Sequence, residues 1–429
     1  MPRRPLWPSL WDNPSKYKNI MKRNTPDLSV SFIGQSLRTP FLIASGAQTT
    51  VIGNIQKYVP SIAKYGWSGV VAKTVTLGRS LYVRPYLWST NEYRFQALQN
   101  SGSRLISWDG QTLEKLKRDV ETAHHHGLMI LGSITGSTTQ EWQTLASYMQ
   151  EARVDGIELD VSCPSEARFT AEKMSSFLGN VEQKHAEQVI SDIRKVFQGP
   201  IVAKLSFHTY DIGNLAKACQ SAGASALSAI NTIQGVIGVD VNSGIPICSG
   251  YQKNSYRSGI SGPIIKPFGL SAVSKISSAT HLPVSGLGGI ADWKSAVEYI
   301  MVGATTVQVC TAAMWQGFKL GQVLTNGLKK FMIQKGYKSL QEFRGISLPY
   351  FTSAVPIPQT IKASIDIKRC KRCGRCLIAC RDGAYDAIEK RKGLFQVNHG
   401  VCDGCGLCVQ VCPEQVIQLE VSPEIDCVI

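Results

Sequence analysis

Eight cysteines near the end of the sequence fall into two copies of one pattern. Cys370, Cys373, Cys376 and Cys380 follow C-x2-C-x2-C-x3-C, and Cys402, Cys405, Cys408 and Cys412 repeat that spacing 32 residues later. Three close cysteines can hold three corners of a [4Fe–4S] cube while the fourth reaches the other cluster. The spacing therefore predicts one cluster on Cys370, Cys373, Cys376 and Cys412, and a second on Cys402, Cys405, Cys408 and Cys380. Gly374, Gly404 and Gly406 let the backbone bend around a cube and aim N–H groups at sulfur. Two zinc sites of four cysteines each are the competing reading, but structural zinc usually takes C-x2-C pairs set well apart. Arg381 stands where the run usually has proline after its fourth cysteine, which changes a turn and not a ligand. Such clusters carry electrons singly and do no bond chemistry alone, so the rest of the chain should hold another redox centre.

The elements that would position such a centre are legible upstream. Short β-rich runs at 40–46, 69–74, 128–134, 156–162, 201–206, 226–231, 282–285 and 306–310 are each followed by a loop and an amphipathic stretch. Eight β-α units of this kind predict a (β/α)8 TIM barrel, with a doubly wound sheet as the competing topology. Polar residues sit at the strand ends: Ser45, Lys73, Asp160 with Cys163, Lys204, Asn231 with Thr232, and Cys310 with Thr311. C-terminal strand ends of a barrel converge on one face, so these side chains can share a site. Gly286-Leu287-Gly288-Gly289 follows the seventh strand, where backbone N–H groups of a barrel commonly cradle a phosphate. Any one of these residues alone would be read as a solvated strand end.

Composition narrows the setting. The 429 residues carry a formal charge of +15 and are 43% hydrophobic, as expected of an ordinary globular chain of two or three domains. No apolar leader and no 18-residue apolar run are visible, so a reducing cytoplasm and no membrane contact are the expectation. The basic N-terminus (Arg3, Arg4, Lys16, Lys18, Lys22, Arg23) lacks a helix-turn-helix or aromatic platform, which argues against nucleic acid. A docking arm for an acidic partner, or a solvated extension, is the better match. His124, His125 and His126 precede Gly127 and read as cations at a helix C-terminus. The expected layout is a basic extension at 1–39, a barrel at 40–332, a connector at 333–367 and a bacterial-type 2[4Fe-4S] ferredoxin domain at 368–429.

The motif Ile157-Glu158-Leu159-Asp160-Val161-Ser162-Cys163-Pro164 resembles the E-L-N-x-S-C-P loop of dihydropyrimidine and dihydroorotate dehydrogenases. Ala44-Ser45, Ala72-Lys73-Thr74, Val202-Ala203-Lys204-Leu205, Ala229-Ile230-Asn231-Thr232, Ser261-Gly262, Gly288-Gly289-Ile290 and Gln308-Val309-Cys310-Thr311 continue the match in order. The resemblance implies FMN held by Ala44, Ser45, Lys73, Lys204, Gly262, Gly288, Gly289, Cys310 and Thr311. It implies Cys163 as the acid or base at the substrate carbon, and Asn100, Asp160, Asn231 and Thr232 around a pyrimidine-like ring. It also implies reduction or formation of a C=C bond conjugated to a carbonyl, and a homodimer or heterotetramer. No nicotinamide fingerprint occurs in the sequence, so NAD(P)H and FAD are expected on a partner redox subunit. A dihydroorotate dehydrogenase-like enzyme, a reductase of another cyclic enamide, and an electron-relay subunit without a substrate are the alternatives.

Three departures fall in the substrate shell. Asp160 replaces the motif's asparagine, and an ionised carboxylate only accepts hydrogen bonds. Gly102 stands where dihydropyrimidine dehydrogenases carry glutamate, and 98–102 reads more like the dihydroorotate branch. Residues 165–173 replace a glycine-rich lid. These departures suggest a paralogue with intact redox machinery and a shifted substrate preference.

Overall fold

The computed structural model describes residues 26–46, 49, 53–78, 87–100, 106–161, 183–209, 211–248, 257–351 and 361–421. The chain divides into two compact units, Met1–Phe351 and Thr352–Ile429.

The first unit is built on eight parallel strands: β1 (Phe41–Ile43), β2 (Gly69–Val71), β3 (Met129–Ile134), β4 (Gly156–Asp160), β5 (Ile201–Leu205), β6 (Ala226–Ala229), β7 (Val284–Leu287) and β8 (Thr306–Val309). Each pairs in parallel with the next, β8 returns to β1 through Val307↔Phe41, and the ring is closed. This is the expected TIM barrel. All eight strands are buried along their whole length, which is why they read as apolar runs rather than alternating ones.

The helices that cover the barrel are read from their caps. In α3 (Thr139–Ala152) the Thr138 hydroxyl accepts Glu141 N–H. Trp142, Leu145, Ala146 and Met149 form the buried stripe, and Arg153 ends the helix at φ +57°. In α7 (Trp293–Met301) Asp292 and Ser295 form a capping box. The preceding α2 (Thr112–His125) carries the first two of the three histidines in its last turn. There His124 Nε2 lies 3.0 Å from Asp155 Oδ2.

Helix α1 (Ile55–Lys64) has no side-chain cap of its own. Asp119 of α2, fully buried, supplies it from outside and accepts Gly53 N–H at 2.5 Å and Gln56 N–H at 3.1 Å. Burial pushes its carboxyl up to about 6, against the pull of those two N–H groups and of Arg118. With the folded value above the unfolded one, its contribution to stability is full at low pH and is lost as pH rises through about 6. The loss amounts to about 3 kcal/mol. Asp119→Asn is therefore expected to gain on the wild type between about pH 4.5 and 7, read as the difference in Tm. Parallel Tm profiles would refute this role.

A four-stranded antiparallel sheet overlies the strand ends, in the order Ile233–Gly235, Ser258–Ser261, Leu98–Asn100, Leu87–Trp88. Its pieces come from the chain after β2 and after β6. Its strands, two to four residues each, are too short to show an alternating pattern in the sequence.

In the second unit, Ile361–Ile365 pairs with Ile417–Val421 antiparallel, and a hairpin joins Ile388–Arg391 to Leu394–Val397. Two helices, α10 (Arg375–Asp382) and α11 (Leu407–Val411), start at Gly374 (φ +77°) and Gly406 (φ +79°). The 32-residue repeat is thus visible in the backbone, because both glycines take the left-handed conformation that a side chain disfavours. Ala363, Ala387, Ile388, Phe395, Val416 and Ile417 make its core, with Cys376, Cys380, Cys402 and Cys408 among them.

Candidate active site

One cavity of about 150 Å³ opens at the strand ends of the barrel. It is lined by Ala44, Ser45, Lys73, Asn100, Asp160, Lys204, Asn231, Thr232, Gly262, Gly288, Gly289, Cys310 and Thr311. Every described residue that the resemblance assigns to FMN or to the substrate ring is in that lining. Cys163, the expected acid or base, lies outside the described residues.

The polar side chains form two linked groups. Deep in the barrel, Glu158 is fully buried on β4, and its Oε2 accepts Ser228 Oγ and Gln308 Nε2, each at 3.0 Å. Lys204 Nζ stands 3.3 Å from the other oxygen, Oε1. Burial works against the charge on Lys204. The carboxylates of Glu158 and Asp160 outweigh it, and the ammonium is held above the ordinary lysine range. Beyond that ion pair, Glu158 Oε1 has no hydrogen-bond donor among the described residues, and neither has the buried Gln308 Oε1.

Nearer the mouth, Asp160 takes Asn231 Nδ2 at 3.0 Å and Thr74 Oγ1 at 3.4 Å. The Asn231 amide is thereby fixed, since its Oδ1 accepts Thr232 N–H at 2.9 Å. Thr74 also joins Ser133 at 2.9 Å and Ser45 at 3.3 Å. The donor that an asparagine would bring at 160 is absent, and two neighbouring donors turn toward the carboxylate instead. Glu158, Thr74 and Gln308 lie inside the matched motifs without a role assigned to them, and Ser133 lies outside those motifs. The signal for Glu158 was its place two residues before Asp160, on the same face of the strand.

The glycines make a narrow cradle. Gly288 and Gly289 have φ of +118° and +76°, and a Cβ on Gly289 would lie 2.7 Å from Lys266 N. A Cβ on Gly262 (φ +97°) would lie 2.6 Å from Gln96 O. Tyr299 Oη donates to Gly288 O at 2.6 Å and Leu287 O at 3.2 Å, pinning the loop from behind. Thr311 Oγ1 donates to Ser261 Oγ at 2.8 Å. Close-approach glycines, hydroxyls and two lysines are a donor set that suits an anionic flavin nucleotide.

In the second unit, Cys370, Cys373, Cys376 and Cys412 line one cavity with Gly374, Phe395 and Pro413. Cys408 lies within electrostatic range of Cys402, Cys405 and Cys380, and burial followed by these neighbours pushes its thiol up to about 11. Among the described residues no three His, Cys, Asp or Glu side chains close on a single ion. The first four thiols come from both runs and meet at that one cavity. Backbone N–H groups already point at sulfur, Arg372 to Cys370 at 3.4 Å and Ala387 to Cys380 at 3.3 Å.

A TIM barrel with this site at its strand ends, joined to a domain of paired cysteine runs, defines a flavin- and iron–sulfur-type oxidoreductase. Residues 27–332 match the dihydroorotate dehydrogenase family and residues 363–419 the 4Fe-4S dicluster domain, and the chain belongs to the dihydroorotate dehydrogenase family. It is 30% identical to the NAD-dependent dihydropyrimidine dehydrogenase subunit PreA of Escherichia coli over 92% of this chain and 96% of that protein. It is 30% identical to the catalytic subunit of dihydroorotate dehydrogenase B (NAD(+)) from Pyrococcus abyssi, over 75% of this chain and 99% of that one. The chloroplastic dihydropyrimidine dehydrogenase (NADP(+)) of Arabidopsis thaliana is 27% identical over 85% of this chain and 87% of its own. The chain is accordingly an oxidoreductase acting on CH–CH groups, dihydropyrimidine dehydrogenase-like. No helix among the described residues is long and apolar enough to cross a membrane.

Proposed function

We propose that this chain is the substrate-reducing component of a two-part oxidoreductase. It saturates, or in reverse forms, a C=C bond conjugated to a carbonyl in a pyrimidine-like cyclic amide. The observation that carries this reading is the convergence of strand-end residues from all around the barrel on one cavity. When bound, FMN would supply two-electron chemistry at the C=C bond while taking up electrons singly. Gly262, Gly288, Gly289 and Thr311 would hold its phosphate end, and Lys73 and Lys204 would place positive charge beside its ring. Asn100, Asn231 and Thr232 offer the donors and acceptors that a cyclic amide edge needs. Cys163 would move the proton at the substrate carbon. The eight cysteines would hold two [4Fe–4S] clusters, each taking three ligands from one run and the fourth from the other, as the spacing predicts. Electrons would come from a partner subunit carrying FAD and the NAD(P)H site.

The deciding experiment measures flavin and iron on anaerobically purified protein, then turnover on a panel of uracil, thymine, orotate and ring-modified analogues. About eight irons and one FMN per chain are expected. Uracil turning over as fast as any analogue would refute a shifted substrate shell.

Asp160 decides the discrimination. Its carboxylate opposes an anionic substituent and favours a ring N–H. Asp160→Asn is expected to move relative kcat/KM toward the carboxylate-bearing substrate by about 10- to 100-fold, the worth of one hydrogen bond to a charged group. An unchanged ratio would place the substrate elsewhere.

A further inference from the structure

The two cysteine runs share their spacing but not their charge. In the first, Lys368, Arg369, Lys371, Arg372 and Arg375 are interleaved with the cysteines, and all five are exposed. The positions 32 residues later are Gly400, Val401, Asp403, Gly404 and Leu407. Residues 368–376 therefore carry a net charge of +5, and residues 400–408 carry −1. Each run leaves one cysteine exposed, Cys373 in the first and Cys405 in the second.

The first rim is only partly neutralised. Lys371 pairs with Glu414 at 2.8 Å and Arg369 with Asp366 at 3.9 Å, both in solvent. Lys368, Arg372 and Arg375 make no ion pair among the described residues. Around the second rim, Arg381 is taken by Asp382 at 2.8 Å, and the half-buried Lys362 donates to the Cys402 carbonyl at 2.6 Å. Val401 and Leu407 are exposed there, at 50% and 38%. The two rims thus present different surfaces, one cationic and one acidic and apolar.

We propose that the first rim is the electron-receiving face, where the partner subunit, acting as the one-electron carrier, docks an acidic surface on Lys368, Arg369, Lys371, Arg372 and Arg375. The inference rests on the iron–sulfur reading above. One electron leaves the carrier's reduced centre and arrives at the redox group held by Cys370, Cys373, Cys376 and Cys412, by way of the exposed Cys373 edge. The carrier is oxidised by one electron, the receiving group is reduced by one, no bond changes and no proton moves. Interleaving cations with the ligands is the arrangement that steers an acidic partner to the shortest transfer distance. Such steering raises association rates by about 10- to 1,000-fold and fades with salt.

The test uses the holoprotein and, as probe, a dithionite-reduced acidic [2Fe–2S] ferredoxin in stopped flow. The triple variant K368E/R372E/R375E should lower the second-order reduction rate about 10- to 100-fold at low salt. The gap to wild type should close as salt rises. D403K, at the equivalent site of the other run, should change the rate less than about threefold. Reduction by a small photochemical donor should be equal in all three proteins. Iron content and visible absorbance, unchanged across them, keep this result separate from the iron–sulfur reading itself. Equal rates in the triple variant, a larger effect of D403K, or slowing toward the small donor as well would each overturn the proposal. So would salt-sensitive binding of duplex DNA that the triple variant loses, which would assign the rim to a polyanion.

Discussion

Lys204→Met is expected to destabilise the flavin-free barrel by about 3–5 kcal/mol, and Glu158→Gln in the same chain to restore most of that loss. Both side chains are buried, and their charges stand 3.3 Å apart. Removing the ammonium leaves a carboxylate in the barrel interior with Ser228 and Gln308 on one oxygen and no donor on the other. An uncompensated buried charge is far more costly than the pair, whereas replacing both partners by neutral groups is often close to neutral. The double-mutant cycle, read from urea unfolding, should therefore show a coupling of several kcal/mol. The sign against pH follows from the raised lysine. Its contribution is full below the ordinary lysine value and is lost only as pH rises through the folded one, so the deficit of the single variant should be flat near neutrality. A single-variant loss below about 1 kcal/mol would show that water or another group compensates Glu158. Flavin content gives a second reading. If Lys204 serves the ring as well as Glu158, the double variant will recover stability without recovering FMN.

Part of this site is legible in the amino-acid sequence alone. A barrel strand buried on both faces is an apolar run ending in a polar residue, and that is how Ser45, Lys73, Lys204 and Thr311 stood out. The cysteine spacings are local, so the two runs needed no fold to be recognised. What stayed hidden was non-local or short. Glu158 is visible between Ile157 and Leu159, yet Gln308 lies 150 residues away, and only barrel closure brings them to 3.0 Å. The sheet over the site is made of pieces as small as Leu87–Trp88, too short for any alternation to register. That sheet nonetheless places Asn100 opposite Gly259 and brings Gly262 to the cavity. Asp160 was legible as a departure from a motif. That Asn231 and Thr74 would turn their donors onto it was not, because such hydrogen bonds answer a charge rather than follow a pattern.

The remaining prediction concerns the proton. Cys163 follows Asp160 by three residues in the sequence, and the Asp160 carboxylate faces the cavity. A thiol is suited to this work because its ordinary value lies within reach of neutral pH, so it can both give and take a proton there. Cys163→Ala should lower kcat by about 100- to 10,000-fold, the usual worth of a positioned acid or base. Reduction of the enzyme by its electron donor, measured alone in the absence of substrate, should be unchanged, because no proton transfer to carbon is involved. Cys163→Ser separates acidity from shape. A hydroxyl fills the same space but is a far weaker acid, so the reducing rate should stay low at every pH, while the reverse reaction, in which the residue must take a proton, should rise as the medium becomes alkaline. An electron-relay subunit would behave otherwise: neither substitution would matter to it. Turnover of Cys163→Ala within about threefold of wild type would therefore remove this residue from the chemistry. If the wild type itself consumed no cyclic amide on the panel while its flavin reduction stayed normal, the relay reading would stand in its place.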